Sequence, residues 1–253
     1  MYEYSPPLTP RWRPLAAGIY ATSCLTQTFL LSRSLLVTAG TDGHVVFWPM
    51  TGVSTASESS EQEQGSAELR WETRLRVHQN NASSMATYST SRGVLLVSGG
   101  DDGGLGFVLV RPDSTSDRKT ETGTESDDRE VNYARPPVLL PRAHASAVTA
   151  CAIFTRGSPP TAQKNRVQRD GDQEEEIFVL TAGNDEWVRL WLVTINTPSS
   201  PASASNDAVS VRRLCRCKTS VADVSSMAVL SSDGGAVRVL VCGVGMEVLR
   251  VEW

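Results

Sequence analysis

A segment of about fourteen residues recurs four times along this chain, and no other feature narrows its possible folds so far. The copies are residues 35–48 (LLVTAGTDGHVVFW), 95–108 (LLVSGGDDGGLGFV), 178–191 (FVLTAGNDEWVRLW) and the looser 239–251 (VLVCGVGMEVLRV). Each begins with a short apolar run, passes through small residues, and ends in a second apolar run. The first three carry an Asp in the middle. A short apolar run suits a buried strand, and Asp-Gly, as at Asp42-Gly43 and Asp102-Gly103, suits a turn that needs positive φ. Hairpins of two buried strands are therefore expected near residues 35–50, 94–111, 177–195 and 237–253.

A third strand is expected before each hairpin, at residues 23–31, 83–89, 147–154 and 225–230. A fourth is expected before that, at 69–77, 138–140 and 209–215. Four strands per unit, with turns between, is the pattern of a propeller blade. The expectation is an all-β chain: one partial β-propeller over residues 1–253, with about four four-stranded antiparallel blades. From Thr38 to Ser98 is 60 residues, from Ser98 to Thr181 is 83, and from Thr181 to Val241 is 60. A blade of this type takes about 40–45. The excess falls in residues 51–67, 113–135, 155–176 and 197–207, which are rich in Ser, Glu, Gln, Pro or mixed charge. Such compositions bury little apolar surface and are expected to be disordered loops between strands.

Composition excludes several classes. Apolar residues make up 40% and charged residues 21%, ordinary for a globular protein, and the net charge of -4 gives no global attraction to nucleic acid. No window approaches the roughly 20 apolar residues of a membrane span, and residues 1–10, with three prolines, lack the order of a secretory signal. Five cysteines, mostly in apolar runs, fit thiols in a reducing compartment. Cys215 and Cys217 share a strand face, but with no second pair or nearby His no metal is expected. There is no phosphate loop and no dinucleotide fingerprint, so no cofactor, small-molecule substrate or membrane partner is expected.

These repeats resemble the WD-repeat family. The resemblance implies a tetrad in each blade: a His before the inner strand, a Ser or Thr, an Asp in the turn, and a Trp. Copy three carries all four as His144, Thr181, Asp185 and Trp191. Copy two carries His78, Ser98 and Asp102, with Val108 in place of Trp. Copy one carries Thr38, Asp42 and Trp48 but no His, so its network is expected to be incomplete. Copy four has none of the polar members. Ser98, His78 and Asp102 also form the residue set of a hydrolase triad. The same set returns at Thr181, His144 and Asp185, which favours a structural role and a chain that is not an enzyme.

The last third is similar to the carboxyl terminus of WD repeat-containing protein six and its fungal counterparts. The matching segments are Val221-Ala-Asp-Val-Ser-Ser-Met227 and Leu240-Val-Cys-Gly-Val-Gly-Met-Glu-Val-Leu-Arg-Val-Glu-Trp253. Val77-His-Gln79, Ser98-Gly-Gly-Asp-Asp-Gly103, Ala143-His144 and Val148-Thr149 match its preceding blades. The resemblance implies a noncatalytic subunit in the cytoplasm. It would bind the catalytic subunit of a tRNA 2′-O-methyltransferase, and tRNA itself, and direct ribose methylation to the wobble position. That family's members are far longer, so the chain is expected to be a fragment, a truncated gene model or a short form, with exposed faces where further blades would pack. The alternative is a general protein-interaction propeller, such as a ubiquitin-ligase receptor or trafficking adaptor.

One basic cluster is a candidate RNA contact. On an outer strand, simple alternation puts Arg212, Arg216 and Lys218 on one face and Arg213 on the other. Such charge also protects an outer strand from edge pairing. Arg11 and Arg13 beside Trp12 form a second, weaker candidate.

Overall fold

The computed structural model describes residues 16–32, 34–50, 67–110, 136–156, 176–195, 209–233 and 235–253, and among these all regular structure is β. Blade one is the antiparallel sheet of β2 (Leu25–Ser32), β3 (Leu35–Gly40), β4 (His44–Pro49) and β6 (Thr73–Arg76). Blade two is β7 (Ala82–Thr90), β8 (Gly93–Gly100), β9 (Leu105–Val110) and β10 (Val138–Leu140). Blade three is β11 (Val148–Phe154), β12 (Glu176–Gly183), β13 (Trp187–Ile195) and β14 (Val209–Lys218). The remaining short strands, β1 (Ala16–Gly18) and β5 (Ala67–Leu69), pair in parallel beside blade one.

The expected hairpins lie at the centre of each sheet. Leu36 pairs with Trp48, Leu96 with Val108 and Val179 with Trp191. Both strands of each hairpin are buried on both faces, by a neighbouring blade or, on the first face of blade one, by chain segments, so these runs are continuously apolar instead of alternating.

Two expectations are corrected. The outer strand does not begin the blade that follows it. β6 pairs with β4, β10 with β9 and β14 with β13, so each extends the preceding sheet. The hairpin's free edge is the nearest backbone the chain meets on leaving it, and sequential strands pair readily. The run 69–77 is also divided: its first residue ends β5, and only Thr73–Arg76 joins blade one. The inserts expected at 51–67, 113–135, 155–176 and 197–207 lie outside the described residues except at their margins. Ala67 opens β5, Thr155 is buried and Glu176 opens β12. Arg11, Trp12 and Arg13 also lie outside them.

The fourth unit is smaller. β15 (Ala222–Asp233) pairs with β16 (Ala236–Glu252), which is 17 residues long. Extended, such a strand would span roughly 55 Å. Yet the Trp253 N–H donates to the Gly235 carbonyl at 3.1 Å, so β16 doubles back, with Gly245 at φ +104° on the returning bend. This is the hairpin expected near 237–253. Among the described residues no outer strand follows it.

Three apolar interfaces join the units in sequence. Phe47, Val37 and Val45 of blade one meet Met85, Leu96 and Val108 of blade two. Phe107, Leu95 and Leu105 meet Ile177, Val179 and Trp191 of blade three. Phe178, Leu180 and Leu190 meet Val224, Val237 and Val239 of blade four. Burying one such side chain contributes about 1.5–3 kcal/mol. The first face of blade one is covered by chain segments and not by a blade: Tyr20 and Leu69 pack on Val46 and Trp48.

Polar contacts repeat across the same interfaces. The Thr26 hydroxyl on β2 donates to the Ala82 carbonyl on β7 at 2.8 Å, and Ser83 on β7 donates to Val148 on β11 at 3.0 Å. Thr149 on β11 donates to the Val224 carbonyl on β15. A second series runs between turns. His78 N–H donates to the Gly43 carbonyl at 3.1 Å, His144 N–H to Gly103 at 2.8 Å, and Thr219 N–H to Glu186 at 3.0 Å. The three acceptors have φ of +77°, +72° and +59°. That left-handed backbone aims the carbonyl out of its own hairpin and explains Asp-Gly at the first two turns; the third tolerates Glu186.

Candidate functional site: polar relays and a basic outer strand

In blade three the expected tetrad is joined end to end. Trp191 Nε1–H donates to Thr181 Oγ1 at 2.9 Å, and Thr181 Oγ1 lies 2.8 Å from His144 Nε2. His144 Nδ1 lies 3.0 Å from Asp185 Oδ1. Only one proton arrangement satisfies every group: Thr181 donates to Nε2, and Nδ1–H donates to the carboxylate. Burial favours that neutral imidazole and lowers the His144 pKa against the pull of Asp185. Asp185 also receives the Ala145 N–H at 3.0 Å and Arg189 Nη1 at 2.9 Å. Burial opposes its ionisation, but bonds from His144, the Ala145 amide and Arg189 outweigh that and hold its pKa at about 2. The Arg189 guanidinium, buried one turn-hairpin step beyond Asp185, was not anticipated from the sequence.

Blade two repeats three of the four members. Ser98 Oγ is 2.9 Å from His78 Nε2, and His78 Nδ1 is 3.3 Å from Asp102 Oδ1. Asp102 takes backbone N–H bonds from Gln79 and Gly104 at 2.8 and 2.9 Å. Val108, at the Trp position, is buried against blade one, so among the described residues no indole donates to Ser98. The Ser98–His78–Asp102 order has the connectivity of a hydrolase triad, but Ser98 is 0% exposed and His78 3%. A nucleophile needs to reach a substrate, and these hydroxyls face only protein.

Blade one is cut in the middle, as its missing His implies. Trp48 Nε1–H donates to Thr38 Oγ1 at 2.9 Å, and Asp42 is served separately. The Tyr20 hydroxyl donates to Asp42 at 2.8 Å, Thr22 at 3.2 Å and the His44 N–H at 3.1 Å. Tyr20 thus takes over the His role toward the carboxylate, and its ring meets Trp48 edge-on at 6.3 Å. Burial opposes ionisation of Asp42, yet the Tyr20 bond and the His44 amide keep its pKa low.

Blade four, expected to have no polar members, has substitutes. Glu247 receives Thr219 Oγ1 and the Ser220 N–H, both at 2.8 Å, and Ser220 Oγ at 3.1 Å. The Ser220 amide and the Thr219 hydroxyl lower its pKa. Thr219 and Ser220 stand where His144-Ala145 and His78-Gln79 stand in the earlier blades. The signal was present: each pair lies four or five residues before the inner-strand pairs Ala82-Ser83, Val148-Thr149 and Val224-Ser225. Tyr20 holds the same offset from Leu25-Thr26.

The basic strand differs from its expected parity. β14 bulges at Leu214: Leu190 faces Cys215, but Trp191 faces Arg213. One extra residue flips the alternation beyond it. Arg213, opposite Trp191, therefore shares a face with Arg216, opposite Arg189, and Lys218, opposite Trp187. Arg212, opposite Leu192, lies on the other face with Cys215 and Cys217. Arg216 stacks over Trp187 at 4.5 Å, and Lys218 pairs with Glu186 at 3.2 Å. Cys24 is exposed, and the other cysteines are partly covered. Among the described residues no group of His, Cys, Asp or Glu is arranged to hold a metal, and no helix is long and apolar enough to cross a membrane.

No protein-family model matches the sequence, and no curated protein matches it. Solved structures do match the fold. The crystal structure of the computationally designed Ika4 protein is 16% identical, with TM-score 0.51, and the match covers 96% of this chain and 99% of that one. The crystal structure of RRP9 WD40 repeats is 13% identical with TM-score 0.47, over 94% of this chain and 53% of that one. The structure of U3-55K gives 13% and 0.47, over 94% and 54%. This chain spans about half the length of those last two. With successive antiparallel sheets joined face to face and a His, Ser or Thr, and Asp relay recurring in two of them, the described residues have the fold of a partial β-propeller.

Proposed function

We propose that this chain is a noncatalytic WD-repeat scaffold. One observation carries this reading: among the described residues a constellation of Ser or Thr, His and Asp is repeated in consecutive blades, and its hydroxyls, Ser98 and Thr181, are each 0% exposed. Reactive-looking groups are used up in holding sheets together, which leaves the surfaces for partners. More narrowly, the scaffold is a cytoplasmic subunit that binds the catalytic subunit of a tRNA 2′-O-methyltransferase and assists ribose methylation at the wobble position. The resemblance of residues 221–227 and 240–253 to that family supports this, and the row of Arg213, Arg216 and Lys218 offers a place for tRNA phosphates.

Affinity purification of the full chain from its own cells tests both levels. The expected result is a methyltransferase and tRNA in the eluate, with wobble ribose methylation lost when the gene is deleted. Reversing the charges of Arg213, Arg216 and Lys218 should release tRNA and keep the protein partner. Unchanged methylation after deletion overturns the tRNA reading. Protein partners without tRNA or methyltransferase leave the general interaction scaffold, the adaptor or receptor alternative.

A further inference from the structure

The inner strands carry a repeated pair, an apolar residue followed by a hydroxyl: Leu25-Thr26, Ala82-Ser83, Val148-Thr149 and Val224-Ser225. At each of the three blade interfaces the hydroxyl of one pair donates to the carbonyl of the apolar residue in the next. That apolar residue is covered in the process: Ala82 and Val148 are 0% exposed and Val224 2%. The series has two loose ends. Among the described residues no blade packs beyond Ser225, and its hydroxyl bonds within its own sheet, to the Cys242 carbonyl at 3.4 Å. Among the described residues no blade packs before Leu25, which receives no hydroxyl and is 42% exposed.

Apolar surface is left bare at the same two places. In blade four, Val244 and Met246 beside the Gly245 bend and Val248 just beyond it are 69%, 78% and 58% exposed. Arg238 and the Arg250–Glu252 ion pair are exposed on the same strand. At the other end, Tyr20 and Leu69 cover Val46 and Trp48 in the outer half of blade one, but the inner strand stays open, with Leu25 and Leu30 exposed. Donor and acceptor, each beside uncovered apolar groups, are thus the two halves of the contact that already joins every pair of consecutive blades.

We propose that two copies of this chain associate head to tail, with blade four of each packing against the inner strand of blade one of the other. Ser225 of one copy donates to the Leu25 carbonyl of its neighbour, continuing the series. A heterologous contact of this kind closes into a ring or runs on as a filament. The described residues of two copies supply eight units, within the range of about four to eight found in closed propellers, so the closed pair is the expected assembly.

Light scattering on the purified full chain, with sedimentation velocity, reads the assembly directly. The expected mass is twice the 27.3 kDa of one chain. Val248→Asp and Leu25→Asp alter opposite sides of the contact, at exposed positions, so far-UV circular dichroism should be unchanged. Each variant alone should give single-chain mass. An equimolar mixture should regain a two-chain species, because the Val248 surface of one variant meets the intact Leu25 surface of the other. A wild-type chain of single mass overturns the proposal. Variants that remain paired on their own, or a mixture that stays single, overturn the head-to-tail geometry.

Discussion

In blade three, the carboxylate of Asp185 receives a histidine, a backbone amide and a buried guanidinium, and a tryptophan locks the far end of the chain of bonds through Thr181. In blade four, Glu247 receives a threonine, a serine and a backbone amide, with no His, Trp or Arg, and it does so near the surface. Both arrangements cap the same junction, between the entry to an inner strand and the turn of the hairpin. Their difference lies in what happens when they break. A buried donor or acceptor stranded without its partner costs its desolvation, whereas an exposed one turns to water. Blade three is therefore expected to be rigid and intolerant of substitution, and blade four weakly held.

The largest expected effect is at Asp185→Ala. It leaves Arg189, 5% exposed, without its counter-charge, and losing one partner of a buried pair costs about 3–5 kcal/mol. Chemical denaturation measures it, and a loss no greater than that of Asp42→Ala would remove the contrast between a buried and a partly open carboxylate. His144→Ala comes next, at about 1–3 kcal/mol, because it strands Asp185 and Thr181 together. A melting temperature unchanged by that substitution would mean the relay does not hold the blade.

Acid should act through the same groups. Burial sets the folded pKa of His78 and His144 below the ordinary 6.5. Stability is then full above that pH and declines below it, because the unfolded chain takes up protons that the folded one refuses. Asp185 works in a lower window: its contribution is present above the ordinary 3.8 and is lost as pH falls through about 2. Thermal melts between pH 7 and 5 should fall for the native chain and flatten for a His78→Ala, His144→Ala double variant, judged against its own value at pH 7. An equal slope in both would assign acid sensitivity elsewhere.

Glu247→Gln should cost less than about 1 kcal/mol, since water replaces what the amide cannot accept. The smallest effect runs the other way. Glu186 holds φ +59°, and its ion pair with Lys218 is solvent-exposed. Glu186→Gly should relieve up to about 1 kcal/mol of left-handed strain, offset by the entropy of the freer unfolded chain. A clear loss of stability would show that the pair with Lys218 outweighs the strain.

Much of this architecture was legible in the sequence because it is local and repeated. The Asp of each turn, the apolar runs on either side, and the Ser or Thr four residues before Asp42, Asp102 and Asp185 all recur at fixed spacing. What escaped depends on neighbours distant in the chain. Tyr20 acts as a His only because it lies beside Asp42, 22 positions away. Arg189 looks like a surface charge until the folded hairpin buries its guanidinium against Asp185. The bulge at Leu214 has no signature in an alternating run, and it moves Arg213 rather than Arg212 into the basic row. Outer strands carry little apolar pattern of their own, so nothing in them shows which hairpin they extend. Glu247 stayed hidden for a different reason: it does the work of an Asp from a later position, with a longer arm.

Native-state hydrogen exchange at two amides tests the central contrast most directly. The Ala145 N–H donates to Asp185, and the Ser220 N–H donates to Glu247. Both lie on the residue that follows the cap, so their local geometry is matched. Ala145 should exchange only when the whole blade opens, at least about tenfold more slowly than Ser220, in keeping with a difference of 1.4 kcal/mol or more in opening free energy. Equal rates, or a more protected Ser220, would contradict the claim that the buried relay holds blade three more firmly than the open cap holds blade four.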